Sequence, residues 1–172
     1  MSSGNYWGPR APATSLTERP GAPAIEAWDG SLTYAQLNAQ SDSLAEHLAQ
    51  LGVGPEVFVP IIFEKSKLSI IAMLAVVRVG GVIVPMDSSQ PLSRLHTMAN
   101  DIKAAIAVTS ARNHGKMPQN VKEVVLNDSL LAQLATNRAG RATASSTAVN
   151  PDNALYDMFT SGSILKAQRC SG

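Results

Sequence analysis

The sequence predicts an α/β fold, a largely parallel sheet flanked by helices. Two observations carry this. From Val57 onward, short apolar runs without polar alternation, the pattern of strands covered on both faces, alternate with segments of helical periodicity. The helical segments are also punctuated by caps and stops at the expected places, and alternating strands and helices favour a parallel sheet with helical crossovers.

The elements follow in order. Residues 1–19 form a loose or disordered lead-in. Four of the ten prolines fall in residues 1–23, with Gly, Ser and Thr between them. The run Ala24 to Trp28 meets Asp29-Gly30, the strongest two-residue hairpin signal in the chain, and Ser31-Leu32 begins the return. Thr33 can cap a helix through its hydroxyl, and Gln36 can reach back to complete a capping box. Leu32 and Leu37 then stand at the positions of a hydrophobic staple. Leu37, Leu44, Ala45, Leu48 and Leu51 continue one apolar face until Gly52 supplies the stop.

Val57 to Phe63 is a buried strand. Ser66 caps a helix over Lys67 to Val79 that is apolar nearly all round and therefore interior, and Gly80-Gly81 ends it. Val82 to Val84 is a further buried strand closed by Pro85. Pro91 takes a first helical position and opens Pro91 to Asp101. Ala104 to Thr109 and Val121 to Leu126 are strands, Asp128 to Thr136 is a short helix, and residues 137–150 are a surface loop. Ala154 to Phe159 is a last strand running into Thr160-Ser161-Gly162-Ser163.

Composition excludes several function classes. A formal net charge of +1 gives no electrostatic case for binding nucleic acid or an anionic membrane. The most apolar stretch, Leu68 to Pro85, is broken by Arg78, Gly80 and Gly81, so it predicts a buried helix and strand and not a membrane span. Met1 to Arg10 lacks the apolar core of a signal peptide. Cys170 is the single cysteine, which fits a reducing compartment, the cytoplasm.

Chemistry-bearing residues are few. Thr160, Ser161 and Ser163 offer hydroxyl donors, and Gly162 lets backbone amides approach an anion, at the carboxyl end of a strand where ligands of such sheets bind. An ordinary turn has the same composition, and no Gly-Lys-Ser/Thr follows as a Walker loop requires. His47 belongs on a helix surface or boundary, and Glu64 and Lys65 on a solvated helix entry. His96 and His114 lack the carboxylate or cysteine spacing of a metal site. Asp87 should cap the turn before Pro91, and Met73-Leu74 is core. No nucleophile stands with a matched base.

Four segments read together go further: Leu32-Thr33-Tyr34-Ala35-Gln36-Leu37, Phe63-Glu64-Lys65-Ser66, Arg78 through Asp87 (R-V-G-G-V-I-V-P-M-D), and Ala154 through Ser163 (A-L-Y-D-M-F-T-S-G-S). In this order they resemble the opening motifs of adenylation domains of nonribosomal peptide synthetases, within the adenylate-forming (AMP-binding) superfamily. The Trp28-Asp29-Gly30 and Phe-Glu-Lys-Ser phrases look particularly fungal. The resemblance runs from Pro20 to Ser163; before Glu18 the lead-in departs from the family's entry helix. It implies the N-terminal subdomain of an adenylate-forming enzyme, incomplete here, in a partial adenylation domain over residues 20–163.

The resemblance also implies a reaction. The family activates the carboxylate of an amino acid with ATP and Mg, giving an acyl adenylate and pyrophosphate. The acyl group then passes to the phosphopantetheine thiol of a carrier domain. Of the family's phosphate loop only Thr160, Ser161, Gly162 and Ser163 match. Ile164, Leu165, Lys166, Ala167, Gln168 and Arg169 replace the Thr-Gly-x-Pro-Lys-Gly continuation. Lys166 through Gly172 can be encoded as AAA GCC CAA AGG TGT AGT GG, and a shift of one base then gives Lys-Pro-Lys-Gly-Val-Val, the expected continuation. Residues 164–172 are therefore expected to be an out-of-frame tail, from a frameshift, a mis-spliced intron or a wrongly drawn gene; a diverged but genuine loop with a Lys-Arg tail is the alternative. The family's adenine, ribose and amino-acid contacts and its C-terminal catalytic lysine lie after this loop, so the 172 residues alone are expected to be inactive. A non-catalytic nucleotide- or partner-binding module, or part of an acyl-CoA ligase, are the alternatives.

Overall fold

A computed structural model of the chain describes residues 20–138. Thr160 to Ser163, the strand expected over Ala154 to Phe159, most of the 137–150 loop, the lead-in and the tail lie outside the described residues.

Strands β1 (Pro23–Ala27) and β2 (Gly30–Thr33) form the expected antiparallel hairpin. Ala27 pairs with Gly30, so the two-residue loop is Trp28-Asp29, one position earlier than expected. The reason is a long-range bond. The Asp29 carboxylate accepts the backbone N–H of Lys67 (3.0 Å to Oδ1, 3.2 Å to Oδ2), which holds the residue in the loop and starts β2 at Gly30.

Helix α1 (Tyr34–Gln50) begins with both halves of the capping box: Thr33 Oγ1 accepts from Gln36 N–H at 3.3 Å, and Gln36 Oε1 accepts from Thr33 N–H at 2.9 Å. Leu32 and Leu37 join one apolar core, as a staple requires. Strand β3 (Phe58–Ile62) leads to α2 (Lys67–Arg78), whose N-cap Ser66 accepts from Ser69 N–H at 3.3 Å. Then come β4 (Val82–Pro85), α3 (Leu92–Asp101), β5 (Ile106–Ser110), a 3₁₀ turn (Ala111–Asn113), β6 (Lys122–Leu126) and α4 (Asp128–Arg138). Pro91 is the N-cap of α3 and not its first helical residue; its carbonyl accepts from Arg94 and Leu95 N–H. Helix α4 runs on to Arg138, two residues beyond Thr136.

The four strands β4-β3-β5-β6 form a parallel sheet in that order. Because successive side chains point to opposite faces, the apolar runs feed two cores at once. Val59, Ile61, Ile83, Ile106, Val108, Val124 and Leu126 pack with α1, α2 and α4, while Ile62, Val84 and Ala107 pack with α3 and the β5–β6 connection. Placing α2 on one face and α3 on the other follows from right-handed crossovers that run in opposite directions along the sheet.

Helix α2 is less interior than its composition suggests. Ile71, Ala72, Ala75 and Val76 are buried, but Ile70 is 39% exposed and Leu74 half-buried, because α1 and the sheet cover only part of its circumference. Arg78, which interrupts the apolar stretch, bonds Asp42 and donates to Asn38 Oδ1 (2.5 Å), clamping α2 to α1. Three helices end on the same paired backbone bonds: Gly52 and Val53 after α1, Gly80 and Gly81 after α2, and Lys103 and Ala104 after α3. Lys103 takes the left-handed position (φ 52°) that glycine fills in the other two.

Candidate functional site

The strand order reverses between β3 and β5. From β3 the chain goes out to β4, crosses back over β3 and continues to β5. In open parallel sheets that is where a crevice opens at the carboxyl edge. Here it is filled by a side chain. Asn113, 1% exposed, directs Nδ2 at the carbonyl of Ile62 ending β3 (3.4 Å), at Glu64 Oε1 (3.1 Å) and at Ser110 Oγ (3.0 Å).

Glu64 is thus no solvated helix entry. It is half-buried in this cluster, with Arg112 Nε at 4.0 Å from its carboxylate. Burial pushes its carboxyl up, but hydrogen bonds from its own backbone N–H and from Ser110, the Arg112 charge and the Asn113 amide outweigh this and hold it below the ordinary value. Lys65 is exposed as expected, and its carbonyl accepts from Trp28 Nε1 at 2.5 Å. The Trp28-Asp29-Gly30 and Phe-Glu-Lys-Ser phrases, far apart in sequence, therefore touch: the hairpin loop is bonded to the entry of α2 through both Trp28 and Asp29. Trp28 itself is 81% exposed.

Asp87 does the work expected of it. Its Oδ1 accepts from Ser89 N–H at 2.8 Å and its carbonyl from Gln90 N–H at 3.1 Å, and the Ser89 bond is the main cause that lowers its pKa. Across the edge, Lys116 Nζ donates to the Ser88 carbonyl at 2.8 Å. His47 is half-buried on α1, and burial with the nearby Lys122 charge lowers its pKa.

Glu123 on β6 was not singled out by any spacing, yet it organises the whole β5–β6 connection. Only 8% of its side chain is exposed, and its carboxylate accepts from Gly115 N–H (2.9 Å) and Met117 N–H (2.8 Å), meets His114 Nδ1 (3.0 Å), and lies 3.4 Å from Thr109 Oγ1. His114 thus pairs with one carboxylate, nine residues along the chain. Burial pushes the Glu123 carboxyl up; the two backbone N–H groups and His114 outweigh it and leave the pKa lowered.

A pH dependence follows. A carboxyl held lower in the fold than in the unfolded chain stabilises above its unfolded value, here the ordinary 4.5, and that stabilisation is lost as pH falls through the folded value. Glu123→Gln is therefore expected to cost about 1–3 kcal/mol at neutral pH. Its deficit in thermal midpoint should narrow as pH falls below 4.5. A deficit that stays constant down to about pH 3 would show that the charge plays no part.

Among the described residues no three His, Cys, Asp or Glu side chains gather to hold a metal ion, and no helix is long and apolar enough to cross a membrane.

Comparison with known proteins extends the match to the segment that holds Thr160 to Ser163. The family model for AMP-binding enzyme matches residues 13–163, reaching into the lead-in at one end and stopping before the tail at the other. The chain is 43% identical over 145 residues to N-benzoylphenylalaninol synthetase apmA of Penicillium brevicompactum, covering 84% of this chain and 6% of that protein. It is 42% identical over 146 residues to nonribosomal peptide synthetase 4 of Gibberella zeae (84% and 2%), and 42% over 149 residues to D-lysergyl-peptide-synthetase subunit 2 of Epichloe festucae var. lolii (84% and 11%). It thus spans no more than about a tenth of these curated relatives.

Solved structures agree on the fold. VinN superimposes with a TM-score of 0.76 at 21% identity, covering 88% of this chain and 41% of VinN. The N-terminal subdomain of Klebsiella oxytoca NpsA gives 0.72 at 21% identity (88% and 38%). The synthetase FmoA3, in its form with α-methyl-L-serine-AMP bound, gives 0.67 at 23% identity (86% and 16%). With the family model matched across most of the sequence and the parallel sheet shared with these structures, the chain belongs to the AMP-binding enzyme family.

Proposed function

We propose that the chain is the front part of an adenylation domain of a fungal nonribosomal peptide synthetase acting in the cytoplasm. The whole domain would join an amino acid carboxylate to ATP, with Mg, release pyrophosphate and hand the aminoacyl group to the phosphopantetheine of a carrier domain. The observation that carries this is 42–43% identity to fungal synthetases over 84% of the chain.

The described residues do not themselves fit a nucleotide's phosphates. At the carboxyl edge Asn113 fills the switch-point crevice, and Glu64 and Asp87 are both held ionised. Three basic groups on that edge already have partners: Arg112 faces Glu64, His114 faces Glu123, and Lys116 bonds Ser88. Two carboxylates there would repel a polyphosphate. The phosphate contacts fall instead to Thr160, Ser161, Gly162 and Ser163, which open the loop, and affinity for Mg-ATP would be weak without the loop's lysine and the adenine contacts.

These 172 residues alone would not turn over, because nothing among the described residues orients an amino acid against ATP. The test compares three proteins in amino-acid-dependent exchange of pyrophosphate into ATP. They are the native chain, a chain with Ile164 to Arg169 replaced by Thr-Gly-Lys-Pro-Lys-Gly, and a chain continued in the shifted reading frame. Exchange is expected from the third alone. Activity in either of the first two overturns the claim that these residues are insufficient. A folded third protein that exchanges with no amino acid overturns the proposed function.

A further inference from the structure

The loops that follow β4 and β5 belong to strands that are not neighbours, since β3 lies between them. A direct bond nonetheless joins the two: Lys116 Nζ to the carbonyl of Ser88, 2.8 Å. Neither end is loose. Ser88 sits in the turn that Asp87 closes through Ser89 and Gln90, directly after the buried Met86. Lys116 lies between Gly115 and Met117, and the backbone N–H groups of both are held by the carboxylate of Glu123. Met86 and Met117 are buried in the same core, so both ends of the bridge rest on packed side chains.

We propose that Lys116 is a strap that closes the carboxyl edge of the sheet over the β3–β5 switch point, and that Glu123 is its positioning residue. The physical case has three parts. A lysine ammonium bonded to a carbonyl makes a charge-assisted hydrogen bond, stronger than a neutral one. The lysine stem is flexible and would hold no fixed geometry unless the backbone beneath it were fixed, which Glu123 does by accepting an N–H on each side. Asp87, beside the same turn, adds electrostatic attraction for Lys116. The strap then has two consequences. It roofs a crevice whose floor Asn113 already fills, so small molecules are excluded from the place where sheets of this kind commonly bind them. It also fixes the Asp87 to Pro91 turn and, through it, the first turn of α3. This inference stands on the described geometry and is independent of the proposed adenylation.

Hydrogen exchange read amide by amide on the 172-residue chain tests it. The Ser89 and Gln90 amides are both hydrogen-bonded in the turn and serve as reporters. Lys116→Met should speed their exchange about tenfold while leaving the β1–β2 hairpin unchanged. Lys116→Arg, which keeps a donor and the charge, should stay near the parent. Glu123→Gln should speed exchange at Ser89 and Gln90 as well as at Gly115 and Met117, transmitting a change on β6 to a turn after β4. Lys116 is half-exposed and contributes to neither core, so Lys116→Met decides the matter even if Glu123→Gln fails to fold. Unchanged exchange at Ser89 and Gln90 in Lys116→Met, or an equal rise along the whole chain, overturns the strap.

Discussion

Asn113→Leu is expected to cost the fold about 2–4 kcal/mol, read as a lower urea midpoint with an unchanged slope. The residue is 1% exposed and its amide faces three acceptors: the Ile62 carbonyl, Glu64 and Ser110. Leucine shares asparagine's branched shape and is larger, which adds some crowding, and the loss would not come from a cavity. It would come from acceptors left without a donor, each costing about 1–3 kcal/mol when water cannot reach it. Glu64 is only half-buried and can turn toward solvent, which keeps the sum below the simple total. Asn113→Asp should be at least as damaging at neutral pH, since it sets a second carboxylate against Glu64 and removes both donors. Glu64→Gln keeps an acceptor oxygen and should cost well under either. A leucine variant within about 0.5 kcal/mol of the parent would show that the crevice is not held by these bonds.

What was legible in the sequence, and what was not, divides by the reach of the interaction. The capping box at Thr33 and Gln36 and the cap at Ser66 involve partners three residues apart, so the residue types alone announce them. Buried strands were legible for the same reason: Val57 to Phe63 carries its own pattern. The hairpin loop was misplaced by one residue because Asp29 is committed to Lys67, 38 residues on. Glu64 looked solvated because Asn113 and Arg112, its partners, come from beyond β5. Glu123 looked like an ordinary strand residue because nothing in K-E-V-V-L hints that the preceding loop folds back onto it. The site of Thr160 to Ser163 rests on likeness, since its segment falls within the family match and outside the described residues.

Gly80 and Gly81 form one Gly-Gly stop in the sequence, yet the structure gives them different jobs, and substitution should separate them. Gly80 sits at φ 78°, where an L side chain is strained by about 1–2 kcal/mol, and an added Cβ would also come within 3.3 Å of the Pro55 ring. Gly81 has no such φ; its constraint is space. A Cβ there would stand 2.9 Å from Val76 Cγ1, 3.1 Å from Val53 Cγ1 and 3.3 Å from the Val76 carbonyl. Val76 is fully buried and Val53 nearly so, hence neither can swing away freely, and Gly81→Ala should cost about 1–3 kcal/mol through overpacking. The two mechanisms predict different outcomes when Val76 is shortened. Val76→Ala removes the closest atom to the new Cβ, so Gly81→Ala should cost about 1 kcal/mol less in that background than alone. Gly80→Ala should cost the same in either background, because shortening Val76 does nothing for a strained φ. Denaturation of the three single and two double variants measures both couplings. Equal couplings for the two glycines would mean that Gly81 is not limited by Val76, and the packing of α2 onto the start of β4 would need another explanation.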